Sequence, residues 1–129
     1  MAGEKAYRPF APGRRPGGKP PAKPKFRVLV HHQFLDRWNG LVDAVGLESA
    51  QQFYDHVSQN PGQIPAVNTS GILRGKAARP REDGFSRTVH YEISGAGRIN
   101  YQWNEAYSGG NKGDPHPVVW ILTIDLTSH

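Results

Sequence analysis

Residues 84–103, GFSRTVHYEISGAGRINYQW, admit few folds. Two stretches of alternating apolar and polar residues flank a glycine-rich turn, which is the pattern of a β-hairpin. Ser94-Gly95-Ala96-Gly97-Arg98 fits a three-residue hairpin loop with a glycine in the left-handed conformation at the bulge position. That turn sets Ser94 opposite Arg98. It pairs Ile93 with Ile99, Glu92 with Asn100, Tyr91 with Tyr101, His90 with Gln102 and Val89 with Trp103. Alternation then gathers Val89, Tyr91, Ile93, Ile99, Tyr101 and Trp103 on one face. A one-residue slip would mix the two faces. Arg98, Glu92 and His90 fall together on the other face: a cation beside a carboxylate and an imidazole, a combination suited to handling phosphate.

The elements around the hairpin follow from periodicity. Phe26-Arg27-Val28-Leu29-Val30 alternates as a strand. Phe34, Trp38, Leu41, Val42 and Val45 recur at helical spacing up to Gly46. Leu47, Ala50, Phe53, Tyr54 and Val57 do the same up to Asn60-Pro61-Gly62. The two stretches form a helical hairpin whose apolar seam is core. Ile72-Leu73-Arg74 is a short strand, 76–83 a charged loop, and 104–117 a loop rich in Gly, Asp, Asn and Pro. Pro117 to Leu126 contains a well-buried strand. The order defines an α+β domain: a small, largely antiparallel sheet with an N-terminal helical hairpin packed on one face.

Charge separates the chain into two parts. Residues 1–25 carry Lys5, Arg8, Arg14, Arg15, Lys19, Lys23 and Lys25 against Glu4 alone, whereas the remainder is close to neutral; the chain totals +5. The same segment holds six of the prolines and only Tyr7, Phe10 and Met1 as large apolar side chains. So little apolar surface does not offset the entropy of ordering it. Residues 1–25 are therefore expected to be a disordered, partly polyproline-like tail, and 26–129 the folded domain. The tail could tether nucleic acid through its phosphates.

There is no cysteine, hence no disulfide or thiolate chemistry, as suits the cytoplasm. No apolar run approaches the roughly 18 residues that cross a membrane. The histidines are scattered without ligand spacing, so neither a metal nor a cofactor is expected. No phosphate-cradling P-loop or dinucleotide motif occurs.

RNA can be cut without a metal when its own 2′-hydroxyl attacks the adjacent phosphate. The enzyme then holds the phosphate, accepts one proton and returns another. Arg98 suits the first task, because guanidinium presents a fixed fork of donors. His90 and Glu92, two apart on one strand, suit proton transfer. Arg74, Lys76, Arg79, Arg81 and Arg87, partly offset by Glu82 and Asp83, would line the approach of the RNA strand.

Three features resemble the RelE/ParE superfamily of toxins from bacterial toxin–antitoxin pairs: the order strand, helical hairpin, antiparallel strands; the step Leu73-Arg74-Gly75; and Tyr91-Glu92-Ile93, a short turn, then Arg98-Ile99-Asn100-Tyr101. The resemblance implies the fold of that superfamily over residues 26–126. It also implies an mRNA endonuclease acting on the ribosome, with Arg98 at the scissile phosphate and a C-terminal histidine, His129, as a further acid or base. A cognate antitoxin would be a partner. The ParE-like branch implies instead a non-enzymatic inhibitor of DNA gyrase. A third possibility is a nucleic-acid-binding module whose tail carries the affinity.

Overall fold

The apolar alternation and the helical stripes fold as one mixed sheet with helices against one face. A computed structural model of the chain describes residues 9–19, 23–63, 71–73, 76–82, 84–93, 97–107 and 115–126. The strands are β1 (Phe10–Pro12), β2 (Arg27–His31), β3 (Gly71–Ile72), β4 (Val89–Glu92), β5 (Arg98–Tyr107) and β6 (His116–Asp125). The helices are α1 (Leu35–Asn39), α2 (Leu41–Val45) and α3 (Leu47–Gln59), with short 3-10 turns at His32–Phe34 and Lys76–Ala78. The sheet order is β1-β2-β6-β5-β4-β3. β2 and β6 run parallel, and every other neighbouring pair is antiparallel. The domain is thus α+β; among the described strands four of the five pairings are antiparallel, in line with the expectation, and the β2–β6 pairing makes the sheet mixed.

The expected first helix is divided into α1 and α2 at Gly40. Gly46, at φ +92°, breaks the chain before α3, a conformation that an L side chain rarely adopts. Trp38, Leu41, Ala50, Phe53, Tyr54 and Val57 pack on Val28, Val30, Val89, Tyr91, Ile99, Tyr101, Val119, Ile121 and Ile124. Phe53 is fully buried, its ring 4.8 Å from that of Tyr91. The Tyr101 hydroxyl, also inside, donates to the Pro61 carbonyl at 2.7 Å. Burial raises the Tyr101 pKa far above its usual range, so the phenol stays protonated and keeps donating.

The hairpin faces are as the alternation predicts, but the register is not. Val89 pairs with Tyr101, His90 with Asn100, Tyr91 with Ile99 and Glu92 with Arg98. The strands have slid by two residues relative to the predicted pairing, and the three-residue connection has moved back by one position: the Ile93 N–H donates to the Gly97 carbonyl. A two-residue slip leaves every side chain on its own face, so hydrophobic alternation cannot detect it. The turn residues 94–96 lie outside the described residues.

The tail needs a larger correction. Where residues 9–19 and 23–25 are described they are packed on the body. Phe10 pairs with His31 and Pro12 with Leu29, and Phe10 is buried. The chain then crosses to the helical side. The Gly13 N–H donates to the Val28 carbonyl, and a Cβ at Gly13 would come within 2.8 Å of the Val30 side chain. Trp38 donates its indole N–H to the Arg14 carbonyl at 3.0 Å. Arg15 forks onto both oxygens of Asp55 at 2.8 and 2.9 Å. Composition argued for disorder because so little is apolar. One buried ring and a few polar contacts to helix side chains suffice to hold the strap.

Candidate functional site

The sheet face away from the helices divides into two halves. One is aromatic. Trp120 lies between Phe10 and Phe85, with ring centroids 4.5 and 3.9 Å away, and Tyr107 meets it edge-on at 5.3 Å. Leu29 and Val118 complete this second cluster. Residues 79–82 and 84–88 are held over it by Gln102. That side chain is fully buried: its amide nitrogen donates to the Arg79 carbonyl at 2.7 Å and to Thr88 Oγ1 at 3.0 Å, and its oxygen accepts from the Arg81 N–H at 2.9 Å. Burying an amide side chain is tolerated when its groups are paired in this way.

The other half is polar. Pairing aligns His90, Asn100 and Thr123 in one row, and Glu92, Arg98 and Asp125 in the next. Neighbouring strands lie about 4.8 Å apart, so members of a row are side-chain neighbours. A bulge in β6 makes this possible. Tyr101 pairs with Ile121 but Asn100 pairs with Thr123, which leaves Leu122 as the extra residue. Unbroken alternation from Trp120 would turn Ile124 outward and Thr123 and Asp125 inward. The bulge reverses that parity, burying Ile124 in the helical core and delivering Thr123 and Asp125 to the outer face.

An open depression of about 460 Å³ lies on this half, lined by Phe34, Arg37, His90, Arg98, Asn100, Thr123, Ile124 and Asp125. His90 Nδ1 is 3.0 Å from Asn100 Oδ1. An amide oxygen only accepts, so Nδ1 carries the proton, and in the neutral ring Nε2 keeps its lone pair. Arg98 sits between Glu92 and Asp125 in register, one cation beside two carboxylates. Arg37, on α1, donates to the Ile124 carbonyl at 2.6 Å and lies over the Phe34 ring at 5.4 Å.

The structure therefore brings together His90, Glu92 and Arg98, with His90 and Arg98 in the depression. Of the expected strand-guiding cations, Arg79 and Arg81 sit on the segment tethered to Gln102, and Lys76 and Arg87 are exposed; none of the four lines the depression. Arg81 instead stacks over Phe10 at 5.5 Å. His31, facing the same cluster, has its pKa lowered by burial first and then by the charges of Arg81 and His32. Arg74 and His129 lie outside the described residues. Asn100, Thr123, Asp125 and Arg37 are lining residues that the sequence did not single out. For Asn100 the signal was its position on the polar side of the hairpin; for Thr123 and Asp125, hidden by the bulge, there was none. Among the described residues no three His, Cys, Asp or Glu side chains cluster as metal ligands, and no helix is long and apolar enough to cross a membrane. Comparison with family models, curated proteins and solved structures gave no match.

Proposed function

We propose that this domain is a metal-independent endoribonuclease of the RelE/ParE-like kind, the toxin of a toxin–antitoxin pair, cutting mRNA on the ribosome. The observation that carries the proposal is the placement of His90, oriented by Asn100, and Arg98 in one depression on an open sheet face. His90 Nε2 takes the proton of the RNA 2′-hydroxyl. The 2′-oxygen bonds to phosphorus, the bond from phosphorus to the 5′-oxygen breaks, and the leaving oxygen takes a proton from a second group, for which Glu92 and His129 are the candidates. Arg98 meets the negative charge gathering on the phosphoryl oxygens. Support for the finer fold assignment comes from the order strand, helices, antiparallel strands and from the hairpin sequence. An antitoxin would be the protein partner, and the cytoplasm the place of action.

Two observations favour a second reading. The two carboxylates beside Arg98 and the near-neutral composition after residue 25 suit a protein target better than a polyanion. That reading makes the domain a ParE-like inhibitor of DNA gyrase. The two separate in one experiment: wild-type protein and His90→Ala are given mRNA on programmed ribosomes, and in parallel gyrase in a supercoiling assay. Cleavage by wild type that His90→Ala loses supports the nuclease. Inert behaviour on ribosomes with blocked supercoiling supports the inhibitor.

A further inference from the structure

Arg98 is the cation that the hairpin makes conspicuous, yet the most available guanidinium on the depression is Arg37. It is exposed, and among the described residues no carboxylate lies within ion-pair distance of it. It is also held in place. One N–H is committed to the Ile124 carbonyl at 2.6 Å, and its plane is supported by the Phe34 ring 5.4 Å below. A guanidinium has five N–H donors, so most of the fork remains to be presented. Preorganisation matters because an arginine already fixed loses less entropy when it binds. Arg98, by contrast, shares its rows with Glu92 and Asp125, whose fields oppose an incoming anion.

We infer that Arg37 is a phosphate-binding residue of this site, gripping a backbone phosphodiester of single-stranded RNA next to the one held at Arg98 and His90. The inference rests on the nuclease proposal for the identity of the strand, and it adds a contact from α1, outside the hairpin. Arg37 also adds to the depression a second guanidinium, one that makes no ion pair among the described residues. The guanidinium itself, lying over the Phe34 ring, offers a plane for a neighbouring base, since unpaired RNA bases stack on guanidinium planes.

The test uses the full chain and a short single-stranded RNA made uncleavable by 2′-O-methylation, with binding followed by fluorescence anisotropy across a salt titration. Arg37→Ala is expected to weaken binding about tenfold, as loss of a charge-assisted contact does. It should also lower the slope of log affinity against log salt by about 0.7, the share of one phosphate on a single strand. Arg37→Lys should keep the slope and recover only part of the affinity, because lysine lacks the planar fork. Circular dichroism and the thermal midpoint confirm that both variants are folded. Wild-type affinity and slope in Arg37→Ala would overturn the inference and leave the nuclease proposal standing. A wild-type protein that binds this strand and loses it on Arg37→Ala, yet cuts no mRNA on programmed ribosomes, would end the nuclease proposal and uphold Arg37. Absence of any binding by wild type would overturn the inference.

Discussion

The two halves of the outer sheet face share two strands, β5 and β6, and differ in almost everything else. On one, Phe10, Trp120, Phe85 and Tyr107 stack under a segment tied down by Gln102. On the other, His90, Asn100, Arg98, Thr123 and Asp125 are partly or fully exposed around a depression. The division falls at the β6 bulge, where Trp120 aligns with Gln102 on one side and Thr123 with Asn100 on the other. A single extra residue thus lets a strand whose sequence is almost wholly apolar serve a core on both faces and still contribute polar groups to a site. The helical face needs no such division, because α1, α2 and α3 cover it. Stability is accordingly assigned to the aromatic half and chemistry to the polar half.

Truncating the aromatic half should give the largest loss of stability. Trp120→Ala is expected to cost about 3–5 kcal/mol in urea denaturation, and Phe10→Ala a similar amount, as buried aromatics do. His90→Ala, on the polar half, should stay within about 1 kcal/mol of wild type. Comparable losses in the two halves would break the contrast. The Phe10 result also decides whether the N-terminal strap belongs to the fold: a loss near zero would mean that residues 9–19 contribute nothing to it.

Next in size is Gln102→Leu. It strands the Arg81 N–H and the Arg79 carbonyl, which should cost about 1–3 kcal/mol. The Arg81 amide should lose its hydrogen-exchange protection ahead of β5 and β6. Unchanged protection would show that the segment is held by Phe85 alone.

The smallest effect is on pH dependence. His56 and His31 both have pKa values lowered, chiefly by burial; for His56 a backbone hydrogen bond with Gln63 opposes the shift. The unfolded chain therefore takes up protons first on acidification. The stability these two rings contribute is complete above about pH 6.5, the ordinary histidine value, and declines as pH falls from there through their folded values. Urea midpoints between neutrality and pH 5 should fall, and His56→Phe should shallow the decline. A midpoint that rises over that interval would reverse the sign and contradict the burial of these rings.

The hairpin shows how far sequence alone carries. Alternation put Tyr91, Ile99 and Tyr101 inside and His90 and Arg98 outside, as they are, because the side-chain period is a local property. It could not choose between registers two residues apart, and so it misplaced Glu92, which lies beside Arg98 rather than Asn100. The β6 residues Thr123 and Asp125 were hidden for the opposite reason: a bulge resets the parity, and nothing local in an apolar run announces it. Arg37 stood among the polar positions of an amphipathic helix, where an arginine ordinarily faces solvent; only the tertiary placement of α1 beside Ile124 brings it to the depression. The strap escaped notice because its contacts, Arg15 with Asp55 and the Arg14 carbonyl with Trp38, link residues far apart in sequence.

The central claim, that the polar half cuts RNA through its own 2′-hydroxyl, is tested most directly by the chemistry of the cut ends. Wild-type protein acting on ribosome-bound mRNA should leave 2′,3′-cyclic phosphates. A 2′-deoxy nucleotide at the cut site should abolish cleavage. Arg98→Ala, with folding confirmed, should slow it on the order of 10²–10³-fold. Cleavage at a 2′-deoxy site, cleavage that survives the loss of both His90 and Arg98, or no cleavage by wild type would each contradict the claim.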